Sequence, residues 1–396
     1  MTRDTVGPTS PAGVRGASHP GTLAARWLAV ALAFLLLLGL LGSSPAIEPE
    51  AAPETRAVWV TRWACKSPQD VTVLFSNLAE IGVNTVFFQV RGAGDAFYRS
   101  SFEPWSEVLT GTLGKDPGWD PLETAVSEGH RLGLQVHAWV NVFTAWQVTD
   151  AGEPPPVTQP LHIVRAHPEW LVCDRARKPM SIKKSEARDN YAFLSPTSKG
   201  ARDHVKKVLK EIVLKYEVDG LHLDYVRFPD SCYSYDRESR LAYLRDTVHK
   251  EIPYSQWRRL KLTEFIADLS RSIKKTRPHA SLSAAVMQTI ETGRNTYYQD
   301  GVEWVRRGYL DFVVPMIYTP SLSFFGTRLK AYADSVGAHR VVAGIGAYLE
   351  GFSDTTLVAE LKTAKAQQVR GVSIFNSDHA LLHSSVVQDY FGYQRP

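Results

Sequence analysis

Cysteine is scarce in this chain of 396 residues, and the three present, Cys65, Cys173 and Cys232, are irregularly spaced. That rules out a disulfide framework and a cysteine-based zinc site. No charge sign dominates: 45 basic residues face 41 acidic ones, for a net charge of +4. Basic residues are scattered and form nothing larger than adjacent pairs such as Lys183-Lys184 and Lys206-Lys207, so no nucleic-acid partner is expected. The sequence contains no HExxH, no GxSxG and no phosphate loop, which removes the metalloprotease, serine-hydrolase and nucleotide-binding classes that those motifs mark. No cofactor and no metal are expected. The apolar run Trp27–Leu41 falls short of the roughly 20 residues that a membrane span needs.

That run fits the core of a signal peptide. Arg3, Arg15 and Arg26 precede it, and Ser44-Pro45-Ala46 has the small-x-small pattern of a cleavage site. Residues 1–46 are therefore expected to be a signal peptide or an uncleaved N-terminal anchor, 47–55 a spacer and 56–396 the folded domain. On this reading the domain is secreted or lies in the periplasm or cell envelope, touching a membrane only if the anchor persists. Cys173 and Cys232, both in long loops, are the pair better placed to bridge in an oxidising compartment.

From residue 56 onward, short β-rich apolar runs alternate with amphipathic stretches. The runs are Ala57–Thr61, Asn84–Arg91, Leu134–Asn141, Gly220–Phe228, Ala280–Met287, Leu310–Tyr318, Arg340–Ala347 and Gly371–Asn376. Strands separated by helices imply a parallel sheet, and eight is the number that closes a barrel. An open doubly wound sheet would show a glycine-rich turn after its first strand, where Thr61-Arg62-Trp63-Ala64 stands instead. The predicted fold is thus α/β, a (β/α)8 TIM barrel. Long loops follow strands two, three and four (92–119, 142–200 and 229–254), on the face where barrel active sites are built. At the opposite face Gly82, Gly133 and Gly220 are expected to supply left-handed helix caps.

Parallel strands are usually apolar throughout, so polar residues inside them are informative. His137, Trp139 and Asn141 alternate with aliphatic residues in strand three, His222 and Asp224 do so in strand four, and Gln89 and Arg91 in strand two. Alternation points each set into the lumen. Asp224 lies toward the C-terminal end of its strand, so it is either catalytic or ion-paired with Arg227 or Arg91. Glycoside hydrolysis needs two carboxylates. Asp95, which follows strand two after Gly92 and Gly94 and so can approach a ligand closely, is the preferred partner for Asp224, with Glu291 next; Glu350 and Asp378 also follow strands on that face. Arg91, His137, Trp139, Asn141, His222, Arg227 and Tyr318 are the expected substrate contacts. Asp120, before Pro121, reads as a helix N-cap. The chain carries ten Trp and sixteen Tyr, residues whose faces commonly stack on sugar rings.

Specific strings add to this reading: Arg56-Ala57-Val58-Trp59-Val60, Asn84–Arg91, Gly94–Tyr98 with Glu103–Ser106, His137–Asn141, His167–Trp170, Asp219–Tyr225 with Arg227-Phe228-Pro229, and Asp311–Tyr318. From Arg56 to about Asp378 the chain resembles the glycosyl-hydrolase-like family 10 of exported bacterial proteins, whose peptidoglycan-cleaving members act on bare glycan strands. The resemblance implies a barrel fold and a carbohydrate substrate. It places Asp224 at the fourth-strand position that many related barrel glycosidases use for a catalytic carboxylate. The family commonly has Gln where Met316 stands. The expected activity is hydrolysis of glycosidic bonds in a polysaccharide such as peptidoglycan glycan strands. Two alternatives stand beside it: a non-catalytic glycan-binding barrel, and a metal-dependent deacetylase using His137, His222 and Asp224.

Overall fold

All eight apolar runs form strands in the computed structural model, which describes residues 54–392. The expectations for a signal peptide or anchor, and for nearly all of the spacer, lie outside the described residues. The barrel strands are β1 (Thr55–Val60), β2 (Thr85–Arg91), β3 (Gln135–Asn141), β6 (Gly220–Asp224), β7 (Ser281–Val286), β8 (Phe312–Pro315), β9 (Val342–Ile345) and β10 (Gly371–Phe375). Two further strands, β4 (Thr144–Gln147) and β5 (Tyr191–Phe193), pair antiparallel as a ribbon inside the long loop after β3. The main sheet runs β8-β7-β6-β3-β2-β1-β10-β9. Parallel bridges from Val313 to Val341 and from Met316 to Gly344 bring its two edges together, so the sheet closes into the predicted barrel.

Two strands stop three or more residues earlier than the apolar pattern suggests. β6 ends at Asp224 because Tyr225 turns into the left-handed region, φ 48°. β8 ends at Pro315, whose missing N–H removes one ladder bond, although the Met316 N–H beyond it still donates to the Val286 carbonyl at 2.9 Å. Helix starts follow local chemistry. Ser67 and Asp70 form a capping box on the helix Pro68–Glu80. Asp120 caps Pro121–Arg131 by accepting the N–H groups of Leu122 and Glu123, each at 3.1 Å, and so has the expected structural role.

Alternation sorts the strand residues into two cores. Val58, Val60, Phe88, Val136, Val140, Leu221 and Leu223 pack outward in the large core shared with the helices. Ala57, Trp59, Phe87, Trp139, Phe312, Val314 and Val342 pack inward and fill the lumen. The loops above are tied by a buried hydroxyl knot, in which Ser195 Oγ lies 2.8 Å from Ser234 Oγ and donates to Asp236 at 2.9 Å. This joins the loop after β3 to the loop after β6. Cys65, Cys173 and Cys232 are all free thiols, so the Cys173–Cys232 bridge considered above is not formed.

Gly82 and Gly133 have the left-handed φ expected of them, 85° and 74°. Gly220 does not cap a helix. The helix before it, Lys199–Lys215, is already closed by Tyr216. Gly220 is glycine for close approach instead, since a Cβ there would sit 2.6 Å from His137 Nδ1 and 2.7 Å from the Ser281 carbonyl. Gly220→Ala is accordingly expected to cost about 1–3 kcal/mol through overpacking of the lumen, read as a shift in the denaturation midpoint. An unchanged midpoint would mean that the strands can move apart at no cost.

Candidate active site

The mouth of the barrel holds a cavity of about 310 Å³, bounded by side chains from most of the strands and from the loop after β3. Trp59, Gln89, Trp139, Asn141 and Asp224 come from β1, β2, β3 and β6. Tyr225, Arg227, Tyr318 and Phe375 stand above them, with Tyr191, Trp63 and Tyr348 at the rim. Trp63 and Tyr348 are about half exposed, at 51% and 45%. Aromatic faces therefore dominate the walls, a surface suited to the apolar faces of sugar rings.

Among the described residues, Asp224 is the one carboxylate that lines this cavity. Burial lifts its carboxyl above the ordinary range. The Tyr225 N–H, which donates to Oδ1 at 2.6 Å, and the positive charge of Arg227 pull the other way. The Trp139 indole N–H also favours the charged form, yet it meets no acceptor in full hydrogen-bond geometry within the protein. Arg227 is not the ion-pair partner considered for Asp224. Its guanidinium lies over the rings of Tyr225 and Tyr297, each at 4.8 Å, and its Nη2 is 3.9 Å from Asp189 Oδ2. Burial, followed by the Asp224 charge, holds the Tyr318 phenol well above its usual pKa, so it stays a proton donor.

A relay of amides fixes the polarity of Asn141. The Arg62 backbone N–H can only donate, so Gln89 must present Oε1 to it, at 3.0 Å. Gln89 Nε2 then donates to Asn141 Oδ1 at 3.3 Å. This leaves the Asn141 Nδ2 group, which has no hydrogen-bond partner among the described residues, as a donor toward the cavity.

The remaining sequence candidates lie elsewhere. Arg91 is not a substrate contact: it is fully buried, and a bulge beside Gln89 shifts its register. Its Nε and Nη2 bind Glu103 at 2.8 Å, while Nη1 donates to the carbonyls of Asn141, Val142 and Thr144. Burial works against the charge of Glu103, but Arg91 and His204 outweigh it and hold that carboxyl down to about 2.

His137 and His222 lie below the cavity. Trp59 Nε1 donates to His222 Nε2 at 3.0 Å, so the ring proton sits on Nδ1, 2.9 Å from Ser283 Oγ. Stacking on Phe87 at 4.1 Å completes its enclosure, and burial keeps its pKa well below the usual value. Burial likewise lowers His137 to about 4. With both His222 nitrogens engaged, the histidine pair does not suit a metal. Among the described residues no cluster of three or more His, Cys, Asp or Glu could hold one.

Glu291 is exposed in the first turn of the helix Ile290–Thr296, away from the cavity lining. Asp95 lines a neighbouring cavity of about 270 Å³, with Oδ1 accepting the Ala93 N–H at 2.7 Å. Sequence reasoning missed Trp59, although the alternation rule applied to strand one would have found it. Trp63 and Tyr348 come from turns, and Tyr191 from the three-residue strand β5, too short to carry a periodic signal.

An aromatic cleft over a buried carboxylate, at the C-terminal mouth of a closed parallel barrel, defines a TIM barrel of the glycosidase-like class. The chain belongs to the glycosyl hydrolase-like 10 family, whose model matches residues 54–363. Among related sequences, Glycosyl hydrolase YngK of Bacillus subtilis is 27% identical over 71% of this chain and 57% of its own length. Glycosyl hydrolase DigH of Escherichia coli K12 is 29% identical over 68% of this chain and 63% of its own. The chain thus spans about three fifths of the length of these curated relatives. Among solved structures, alpha-L-fucosidase isoenzyme 2 from Paenibacillus thiaminolyticus shares the fold with a TM-score of 0.60 at 16% identity, over 86% of this chain and 49% of that one. The catalytic domain of a Paenibacillus polymyxa β-amylase does so with a TM-score of 0.56 at 11% identity, over 86% and 98%.

The amide relay makes a prediction. Gln89→Glu offers only acceptors, so Asn141 must turn Nδ2 inward and present Oδ1 to the cavity. Affinity for a glycan ligand is expected to fall by about 1–3 kcal/mol, measured by calorimetry, with the denaturation midpoint little changed. Equal affinity would show that the polarity of Asn141 is not read.

Proposed function

We propose that the protein is an exported glycoside hydrolase that cleaves glycosidic bonds within a polysaccharide, with peptidoglycan glycan strands as its substrate. The observation that carries this reading is Asp224: a carboxyl buried at the end of the fourth barrel strand, its pKa raised, facing an aromatic cavity with donors around it. A carboxyl whose pKa is raised by burial keeps its proton to higher pH than a solvated one and can deliver it to the glycosidic oxygen as the bond breaks. Trp139 and Asn141 offer N–H groups to substrate oxygens, and the aromatic walls hold the ring. Asp189, whose Oδ2 lies 3.9 Å from Arg227 Nη2, is our candidate for the second carboxylate, although it does not line the cavity itself. Export is inferred from the apolar run Trp27–Leu41 and the small residues after it.

One observation favours a second reading, a glycan-binding barrel without hydrolysis: the cavity wall contains a single carboxylate. Incubation with purified, peptide-free glycan strands separates the two. New reducing ends support the hydrolase, whereas binding without them assigns the protein to the second class.

Asp224→Asn is expected to lower cleavage by about 10²–10⁴-fold while binding persists. In the acid role, kcat/KM of the native protein declines as pH rises through the raised pKa of Asp224. A decline toward low pH would make Asp224 the base or nucleophile instead. Stability carries its own sign. Because the folded pKa lies above the unfolded one, the native protein loses stability as pH rises through it, and the Asn variant does not. The inactive variant is therefore expected to melt higher than the native protein at neutral pH, with the difference shrinking in acid.

A further inference from the structure

We propose that the neighbouring cavity, which contains Asp95, is a second sugar-binding subsite, so that the cleft holds at least two consecutive residues of a glycan chain; this rests on the glycan reading above. Trp63 joins the two cavities and lines both. Its ring is half exposed, yet it is held from beneath by the Arg62 guanidinium, centred 4.5 Å from it. Arg62 itself is only 4% exposed. Its Nη2 donates to Gln147 Oε1 at 3.1 Å and to the Tyr191 hydroxyl at 3.2 Å, both on the β4–β5 ribbon. Gly92 leaves room for this packing, because a Cβ there would lie on the guanidinium. The platform between the cavities is thus set before any ligand arrives.

The chemistry of the second cavity complements that of the first. Around Asp224 the cavity presents donors: the Trp139 indole, Asn141 Nδ2 and the Tyr318 hydroxyl. The second cavity presents acceptors, the carboxylates of Asp95 and Glu107, beside the ring of Trp146. Asp95 spends one oxygen on the Ala93 N–H and makes no hydrogen bond among the described residues with the other. Arg62 offsets only one of the two negative charges. The pocket is therefore matched to a neutral, hydroxyl-rich ring with an apolar face. An anionic group would meet net negative charge.

Binding of peptidoglycan glycan fragments of graded length, from the single amino sugar upward, to the Asp224→Asn protein tests this by calorimetry. Affinity is expected to rise about tenfold or more when the chain grows beyond one sugar. In the same background, Glu107→Gln and Trp146→Ala are expected to remove most of that gain and leave the single-sugar affinity unchanged. Glu107 is exposed, so its variant folds even where the Trp146 variant does not. Affinity that does not depend on length, or variants that weaken the single sugar equally, would overturn the second subsite alone. A protein that binds no fragment of any length would overturn the glycan reading as well.

Discussion

The site depends on a cation that never meets substrate. Arg91 has no exposed surface, and Glu103, its partner, is 2% exposed. A buried pair of this kind earns little net stability over an apolar packing of the same shape, but removing either member leaves the other charge stranded, at about 3–5 kcal/mol. What the pair secures is geometry. Glu103 anchors the loop after β2. The three carbonyls on Nη1 belong to Asn141, Val142 and Thr144, the stretch where β3 ends and the ribbon begins. The orientation of Asn141 and the path of the ribbon that grips Arg62 both start from that point.

Beneath the cavity the barrel meets a different constraint, because eight parallel strands enclose a lumen that must be filled without stranding polar atoms. Trp59, Phe87 and His222 meet this as one cluster. The indole N–H has a lone pair to bind, the imidazole remains neutral, and the second ring nitrogen reaches Ser283. Burial drives His222 far from protonation, which suits a packing role and disqualifies it as an acid or base near neutral pH. His137 pays more heavily, since its Nδ1 finds no partner. Gly220 exists to make room for it. Asp224 therefore sits two residues along β6 from a packed aromatic layer.

The sequence made the barrel legible because parallel strands buried on both faces read as apolar runs, and β-alternation exposes any polar residue facing the lumen. That logic identified Asp224, Asn141 and Trp139 as cavity residues. It could not separate layers. Arg91 and Asn141 share the pattern of lumen-facing polar residues, yet a one-residue bulge turns Arg91 into the loop clamp. Likewise His137 and His222 share a face with Trp139 and Asp224 but lie a turn of the pleat deeper. Loop residues were beyond reach for another reason. Tyr191 is placed by the pairing of β5 with β4 and by the Arg62 guanidinium, which no local periodicity reports. The glycine rule failed similarly at Gly220, where the need for glycine comes from another strand's side chain.

Tyr225 links the fold to the chemistry. A bulky residue with a left-handed φ is strained by about 1–3 kcal/mol, and it persists only where its surroundings hold it there. Here the ring packs edge-on against Tyr191 at 5.5 Å and lies beneath Arg227. The strain turns the Tyr225 N–H back onto Asp224 Oδ1, so that a single directed donor fixes one oxygen of the carboxyl while the other faces the cavity. An extended residue at this position would continue β6 and carry that N–H into the ladder. Two costs therefore coincide at one strand end: a backbone bent against preference, and an acid buried against solvation. Neither improves packing. Both are accounted for by the need to hold one protonatable oxygen at a defined point in an aromatic cleft.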